Sequence, residues 1–316
     1  QIGAASGEML TCDAHTYADY TVFVIQSDRI LGGPPYARVR WPSSEERVLE
    51  VSQTGLTSYE AVVEFDGNVV KGLDLTVSAV DLDGNAGHHS MQLHQQQVLT
   101  TGGSVRSEDG LAEIRFDSSR VYEPMYGGAE PRQVAGADRL PTVGLGYEFF
   151  PDNVPFQGKV QLFLRYPDGF EHPEKLGVYE QKSDTTWSFL DNVLDTEAGT
   201  VSARVSRFST YAILLDELPP VLKDLEPEGV IHDDMPTLAA EIRDEGSGIG
   251  REEDIEVLLD GNPMIFEFDP EEDRVLVQPN QPLEEGLHRF TISVKDMCGN
   301  LSQASSEFTV RRGLNR

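Results

Sequence analysis

The sequence predicts an all-β protein made of β-sandwiches. Its apolar segments are short and rich in β-branched and aromatic residues, as at 20–25, 59–65 and 160–164. Each is flanked by Gly, Pro, Asp or Asn residues. Helical periodicity is almost absent from the chain. Many short strands, punctuated by 29 Gly and 18 Pro, favour sandwiches over a parallel α/β sheet.

Four of the Asp-Gly pairs in the chain lie between these segments, at 66–67, 109–110, 168–169 and 260–261. This dipeptide tolerates the positive φ angles that tight turns between antiparallel strands require. The pairs therefore predict four tight turns.

An internal repeat relates the two ends of the chain. Residues 76–85 read TVSAVDLDGN and residues 291–300 read TISVKDMCGN, so Thr, Ser, Asp, Gly and Asn recur at identical spacing. We therefore expect two related domains to flank a different one. Linker signals at 100–103 (TTGG) and 218–220 (LPP) mark the boundaries, because consecutive prolines cannot belong to a central strand. The predicted domains are 1–98, 99–217 and 218–316.

The chain is strongly acidic, with 54 Asp and Glu against 25 Lys and Arg and a formal net charge of −29. This charge disfavours binding to nucleic acid or to an anionic membrane, because both reward basic surface. No apolar segment approaches the ~18 residues that could cross a bilayer. Acidic clusters at 233–234, 244–245, 252–254 and 271–273 lie in the predicted C-terminal domain. They have two interpretations, a solvated surface or the capture of cations.

Three short motifs characterise the predicted C-terminal domain: DEGSGI at 244–249, LEEGLH at 283–288 and DMCGN at 296–300. With these motifs it resembles the bacterial immunoglobulin-like modules of secreted and cell-surface proteins. The N-terminal domain shares only the turn at 81–85, so a smaller part of this domain resembles those modules. The resemblance implies immunoglobulin-like sandwiches at both ends of the chain.

The predicted middle domain carries other motifs: GGSV at 102–105, GYEFFP at 146–151, LGVY at 176–179 and VSRFSTYA at 205–212. These resemble the ZU-type domains named from zonula occludens and netrin-receptor proteins, in their bacterial form. The resemblance implies a third β-sandwich, placed between immunoglobulin-like modules and frequently downstream of a secreted peptidase.

Some eukaryotic ZU-type relatives cut their own backbone at a His-Phe-Ser sequence. The corresponding residues here are Arg207, Phe208 and Ser209. Arginine stays protonated at physiological pH and cannot accept a proton from the serine. We therefore expect Phe208 to fill the core and the chain to remain uncut.

The repeated turn suggests calcium ligands. Asp81, Asp83 and Asn85 present three oxygen-bearing side chains within five residues, and calcium prefers such ligands. The equivalent turn keeps Asp296 and Asn300 but has Cys298 in place of Asp83. Two interpretations stay open, because an Asp that caps its own backbone and a Gly-Asn pair also form a turn without metal. The predicted ligand set is Asp81, Asp83, Asn85, Asp244, Asp296 and Asn300.

The sequence contains no H-E-x-x-H, G-x-S-x-G or Walker motif, so we name no catalytic or cofactor-binding residues. Tyr122, Tyr126 and residues 127–142 form the longest segment without strand character. Such a segment has two interpretations, a loop that binds cell-wall glycan or an insertion without a ligand.

We predict a non-catalytic extracellular spacer of a larger bacterial surface or secreted protein, with adhesive contacts to other protein domains or to copies of itself. The alternatives are the accessory C-terminal region of a secreted peptidase and a self-assembling filament subunit. The chain begins at Gln1 without Met, and we expect it to be a processed or excised piece. Cys12 and Cys298 permit one disulfide at most, which their separate predicted domains disfavour.

Overall fold

The computed structural model describes residues 9–41, 45–64, 72–151 and 154–311. In this part of the chain nearly all regular structure is β-strand, joined by two 3₁₀ helices of three residues each. The prediction of an all-β chain is confirmed, with several separate sheets as expected of tandem sandwiches. None of the described helices has the length and apolar character needed to span a membrane.

The strands of the N-terminal part are β1 (Leu10–Thr16), β2 (Tyr20–Ser27), β3 (Tyr36–Arg40), β4 (Glu46–Leu49), β5 (Val51–Gln53), β6 (Ser58–Glu64), β7 (Leu73–Val80), β8 (Ala86–Leu93) and β9 (Gln96–Val98). The middle part contains β10 (Gly103–Arg106), β11 (Ala112–Phe116), β12 (Met125–Arg132), β13 (Gly146–Phe150), β14 (Val160–Arg165), η1 (Pro173–Lys175), β15 (Leu176–Ser183), β16 (Thr186–Asp191), β17 (Val193–Asp195), β18 (Thr200–Val205) and β19 (Thr210–Leu215). The C-terminal part contains β20 (Val221–Glu226), β21 (Gly229–Ile231), β22 (Leu238–Arg243), η2 (Glu252–Asp254), β23 (Ile255–Leu259), β24 (Asn262–Pro263), β25 (Phe266–Asp269), β26 (Arg274–Val277), β27 (Gly286–Lys295) and β28 (Leu301–Val310).

Contacts between Cα atoms divide the chain into two compact units. The first comprises Gln1–Val134, Leu145–Arg165 and Ser202–Ala212, and the second comprises Ala135–Gly144, Tyr166–Val201 and Ile213–Arg316. The division into domains 1–98, 99–217 and 218–316 stays a prediction.

The first unit begins with a β-sandwich. Its two four-stranded sheets run in the orders β1-β2-β6-β5 and β4-β3-β7-β8. Alternate residues point inward, as in β7, where Leu73, Leu75 and Val77 are buried and their neighbours are half-buried. Buried residues of both sheets belong to one hydrophobic core, so the sheets pack face to face.

The first unit also contains β10, β11 and β14 as successive neighbours in one sheet, with residues 202–205 of β18 beside β14. In another sheet it contains β9, β12 and β13, with residues 210–212 of β19 beside β13. Strand β12 corrects the predicted loop, since Met125–Arg132 pair with β9 and β13 and Tyr126 is buried. The prediction of a strandless segment was wrong over residues 127–132, because Gly127 and Gly128 disfavour a strand by intrinsic propensity but lie in one here. A Cβ at Gly128 would lie 2.2 Å from the Phe150 ring, so this strand needs glycine for close packing.

The second unit contains the hairpin β15–β16 and the C-terminal β-sandwich. The sandwich has sheets in the orders β20-β22-β26-β25 and β21-β28-β27-β23-β24, with one shared core. Strands β27 and β28 pair over ten residues each, from Gly286 opposite Val310 to Lys295 opposite Leu301. The turn that joins them is therefore fixed at residues 296–300.

Three of the four predicted Asp-Gly turns have the expected backbone. Gly110, Gly169 and Gly261 adopt φ angles of 70°, 77° and 79°. The pair at 66–67 lies outside the described residues.

Candidate metal centre

The turn between β27 and β28 is closed by Asp296 and Asn300. The backbone N–H of Asp296 donates to the Asn300 carbonyl at 3.1 Å, and Gly299 makes the tight bend with φ of 76°. The Asp296 carboxylate accepts from the backbone N–H of Asn300 at 2.8 Å and from its side-chain amide at 2.8 Å. Turn chemistry thus accounts for the Asp, Gly and Asn of this motif.

The first copy of the repeat forms the same turn. Asn85 donates to the Asp81 carboxylate from its backbone at 2.7 Å and from its side chain at 2.8 Å. Arg29 also donates to this carboxylate, at 3.3 Å, while Asp83 and Asn85 are exposed. Asp81 therefore has a guanidinium as its counter-charge. Calcium ligation by Asp81, Asp83 and Asn85 stays a prediction.

The second copy differs because two further carboxylates lie beside Asp296. One oxygen each of Asp216, Asp244 and Asp296 lies within 4.8 Å of the others. Each aspartate is the first residue after a strand, following β19, β22 and β27 respectively. Asp216 is 0% exposed and Asp296 is 2% exposed, so the group is largely shielded from solvent.

Asp216 is held by four hydrogen bonds. Its carboxylate accepts from the backbone N–H of Ser247 at 2.6 Å and of Leu218 at 3.0 Å. Its backbone N–H donates to the Lys175 carbonyl at 2.9 Å, and its carbonyl accepts from the Asn300 amide at 3.0 Å. The charged side chain and the backbone of Asp216 are therefore fixed together.

The DEGSGI motif folds back on its own first residue. One oxygen of Asp244 accepts from the backbone N–H of Gly246 at 3.1 Å and of Gly248 at 2.6 Å, and Gly248 has φ of 81°. A Cβ at Gly246 would lie 2.2 Å from Oδ2 of Asp216, so glycine allows the loop to approach that carboxylate. The motif thus has a structural reason for both glycines.

Two buried polar atoms at this centre have no hydrogen-bond partner. They are Oδ1 of Asp244 and the hydroxyl of Tyr179 on β15, whose residue is 1% exposed. Burial raises the pKa of Tyr179, and the negative charges of Asp216, Asp244 and Asp296 raise it further. The charges of the three carboxylates therefore act on the buried Tyr179 hydroxyl.

The carboxylates also repel one another. Burial raises the pKa of Asp244 to about 6, against hydrogen bonds from Gly248 and Gly246, and the charges of Asp216 and Asp296 add to the increase. Burial likewise raises the pKa of Asp296, although hydrogen bonds from Asn300 oppose it. Among the described residues, no Lys, Arg or His forms an ion pair with these three groups. The centre thus concentrates negative charge without a paired cation.

The structure brings Asp244, Asp296 and Asn300 together, as the predicted ligand set supposed, and separates their roles. Asn300 turns its amide N–H toward Asp296 and toward the Asp216 carbonyl, so it positions the acids. Sequence reasoning missed Asp216, because it lies just before the linker signal at 218–220 and belongs to none of the acidic clusters. Glu245 is exposed and pairs with Arg139 at 3.7 Å.

The two cysteines are free and buried. Cys298 is 1% exposed, and burial raises the pKa of its thiol to about 12. A thiol with this pKa stays protonated at neutral pH and is a poor metal ligand.

Comparisons with known proteins give distant structural likenesses. No family model matches the chain, and no curated protein matches it. A tetra-tandem repeat from the extending region of a large adhesion protein is 11% identical, with TM-score 0.29, covering 96% of this chain and 74% of that one. A segment of a 1.5-MDa bacterial ice-binding adhesin is 9% identical, with TM-score 0.23 and coverage of 99% and 100%. Latent PorU from Porphyromonas gingivalis is 12% identical, with TM-score 0.24 and coverage of 98% and 25%. At these identities and TM-scores, the likenesses do not transfer an activity to this chain.

Proposed function

We propose that the chain is a non-catalytic, semi-rigid spacer segment of an extracellular surface protein. The observation that carries the proposal is the short connection between β19 and β20, residues 216–220. Its sequence, Asp-Glu-Leu-Pro-Pro, contains two prolines, which restrict the backbone. Hydrogen bonds hold both of its ends.

At the first end, Asp216 donates a hydrogen bond to Lys175, earlier in the chain, and accepts hydrogen bonds from Ser247 and Asn300, later in the chain. At the second end, the hydroxyl of Ser302 donates to the Pro220 carbonyl. The connection is thus tied to residues of the predicted middle domain and of the C-terminal sandwich. A linker with fixed ends resists bending between consecutive sandwiches, which a spacer requires.

Two side chains of the middle part reinforce this junction. Lys175 donates from Nζ to the Cys298 carbonyl at 3.2 Å, and Asn192 donates from its amide to the Met297 carbonyl at 2.5 Å. Both acceptors belong to the turn between β27 and β28. The two bonds therefore brace residues 166–201 against the C-terminal sandwich within the second unit.

The experiment measures the width of a distance distribution across this junction. Spin labels at exposed positions 197 and 272 would report on the two sides by pulsed electron paramagnetic resonance, since the native thiols are buried. We expect a narrow distribution that broadens in the double variant Lys175→Ala/Asn192→Ala. The control is Lys182→Ala, because Lys182 pairs with Glu180 on the same strand. A broad distribution in the unmodified chain would refute the semi-rigid spacer.

Extracellular location and contacts with neighbouring domains or further copies of the chain belong to the same proposal. Light scattering of the purified chain distinguishes a monomeric spacer from a self-assembling subunit. The proposal that a loop at 127–142 binds cell-wall glycan loses support, since residues 127–132 belong to strand β12.

A further inference from the structure

We propose that Asp216, Asp244 and Asp296 form a site for one Ca²⁺ ion, with the Tyr179 hydroxyl at its edge. The carboxylate oxygens lie within 4.8 Å of one another. Calcium binds oxygen ligands at about 2.3–2.6 Å, so two of its ligands can be up to about 5 Å apart. The three strand ends thus present the ligand type and the spacing that this ion requires.

The unpartnered polar atoms point to the same ligand. Oδ1 of Asp244 is buried and accepts no hydrogen bond, although the other oxygen of the same carboxylate accepts two. Buried carboxylate oxygens are normally paired or bound to a metal. The hydroxyl of Tyr179 is also unpartnered, in a residue that is 1% exposed. A bound ion with its water ligands would give both atoms a partner.

The charge of the site supports a cation. In the first copy of the repeat, Asp81 is balanced by Arg29 at 3.3 Å. In the second copy, Lys175 directs its ammonium to the Cys298 carbonyl at 3.2 Å and only weakly lowers the pKa of Asp296. Two buried carboxylates and a half-buried one without a bound cation are unfavourable, and a divalent ion removes most of their mutual repulsion.

The surrounding backbone prepares the site. The N–H groups of Leu218, Ser247, Gly246, Gly248 and Asn300 each donate to one of the three carboxylates. These bonds hold the carboxylates in place before the ion binds, and water would complete the six to eight ligands that calcium takes. The ion would join the connection 216–220, the loop 244–249 and the turn 296–300.

The site does not depend on the spacer function, and its test is separate. The full chain is treated with a chelator and titrated with CaCl₂ while heat release and melting temperature are measured. We expect one ion per chain and a rise of the melting temperature, since a ligand of the folded state stabilises it. The variant Asp216→Asn should lose the rise or bind at least about tenfold more weakly, because a carboxylate ligand is replaced by an amide.

The matched control is Asp81→Asn, in the same turn of the first repeat copy. It should keep the full calcium-dependent rise. The proposal is refuted if calcium up to millimolar concentrations causes neither heat nor a rise. It is also refuted if Asp81→Asn loses the rise, or if Mg²⁺ gives an equal rise at equal concentration.

A luminescence measurement covers the case in which Asp216→Asn does not fold. Tb³⁺ replaces Ca²⁺ at oxygen sites, and its emission is sensitised by an aromatic ring close to the ion. We expect tyrosine-excited emission to fall in Tyr179→Phe and to persist in Tyr166→Phe, whose phenol is also largely buried. Added Ca²⁺ should quench the emission of the unmodified chain. Unchanged emission in Tyr179→Phe would overturn the placement of the ion.

Discussion

The side-chain amide of Asn300 donates a hydrogen bond at 3.0 Å to the backbone carbonyl of Asp216, 84 residues earlier in the chain. The same amide donates to the Asp296 carboxylate at 2.8 Å. Asn300 therefore closes its own turn and also fixes the start of the connection 216–220. In the first repeat copy, Asn85 is exposed, and its side-chain amide donates one hydrogen bond, to the Asp81 carboxylate.

This difference predicts unequal effects of one substitution at the two equivalent positions. Asn300→Ala should destabilise the C-terminal sandwich by about 1–3 kcal/mol, because it leaves the buried Asp216 carbonyl unpaired. Asn85→Ala should cost its sandwich less, about 0.5–1 kcal/mol, because water replaces an exposed amide. Hydrogen exchange of the β27 and β8 amides measures the two losses within the full chain. Equal losses would contradict the role of Asn300 as a link.

Gly246 predicts a second asymmetry. A Cβ at Gly246 would lie 2.2 Å from Oδ2 of Asp216 and 2.4 Å from its Cγ, whereas a Cβ at Gly33 would have no heavy atom within 4 Å. Gly246→Ala should therefore cost about 1–3 kcal/mol by overpacking. Gly33→Ala should stay within about 0.5 kcal/mol of the unmodified chain. Urea denaturation measures both variants, and a neutral Gly246→Ala would show that the carboxylate moves freely.

The sequence predicted the fold class because strand signals are local. Short β-branched runs and Asp-Gly turns follow from backbone sterics, and the turn chemistry of Asp81 and Asp296 was readable from two aligned segments. The segment 127–132 was misjudged because Gly127 and Gly128 normally disfavour strands. Glycine is required at these two positions because the strand packs closely against Phe150, and propensities read from a single sequence do not describe such tertiary contacts.

The candidate site was only partly predictable for the same reason. Asp244 and Asp296 belong to motifs with recognisable spacing, whereas Asp216 lies three residues before a proline pair and just before the predicted linker signal at 218–220. Its proximity to the other two acids depends on how the ends of β19, β22 and β27 meet although the strands belong to three different sheets, which is a property of the topology. A sequence signal did exist, namely an acidic residue between an apolar strand and Pro-Pro. Tyr179 had no signal other than its position in a strand.

Phe208 carries the next prediction. It is 2% exposed, and its ring contacts Phe156 at 5.0 Å and Phe116 at 6.0 Å between centroids, as expected for a core residue. Phe208→Ala should cost about 3–5 kcal/mol through the cavity it leaves.

Arg207 cannot act as a base for Ser209, so the intact mass should stay constant over long incubation. Ser209→Ala is the control, and fragments that end at Phe208 only in the unmodified chain would indicate self-cleavage.

The buried thiols should be chemically silent in the folded chain. Burial raises the pKa of Cys12 to about 12 and that of Cys298 to about 12, and only the thiolate reacts readily with alkylating agents. At neutral pH we expect slow alkylation by iodoacetamide in buffer and complete alkylation in urea. Mass spectrometry of the digested protein separates the two sites. Rapid modification of Cys298 in the folded state would contradict its burial at 1% exposure.

His288 predicts the pH dependence of the C-terminal sandwich. Its Nδ1 lies 2.7 Å from Oδ2 of Asp260 and its Nε2 lies 2.8 Å from the Glu284 carbonyl, while the ring stacks on Phe308 at 5.5 Å. Burial lowers the pKa of His288, but the hydrogen bonds to Glu284 and Asp260 outweigh it and hold the pKa above 6.5. The protonated ring can donate to both acceptors at once, which explains the direction of the shift.

Because the pKa is higher in the folded state, the protonated ring stabilises the sandwich. This contribution is complete below the unfolded pKa of about 6.5 and is lost as the pH rises through the folded value. The urea midpoint of the C-terminal sandwich should therefore fall as the pH rises from about 6.5 through the folded pKa of His288, and the His288→Gln variant should lose this part of the fall. His172→Gln, at an exposed position outside this sandwich, should keep it. An identical pH profile for the unmodified chain and His288→Gln would mean that the bond to Asp260 does not stabilise the folded state.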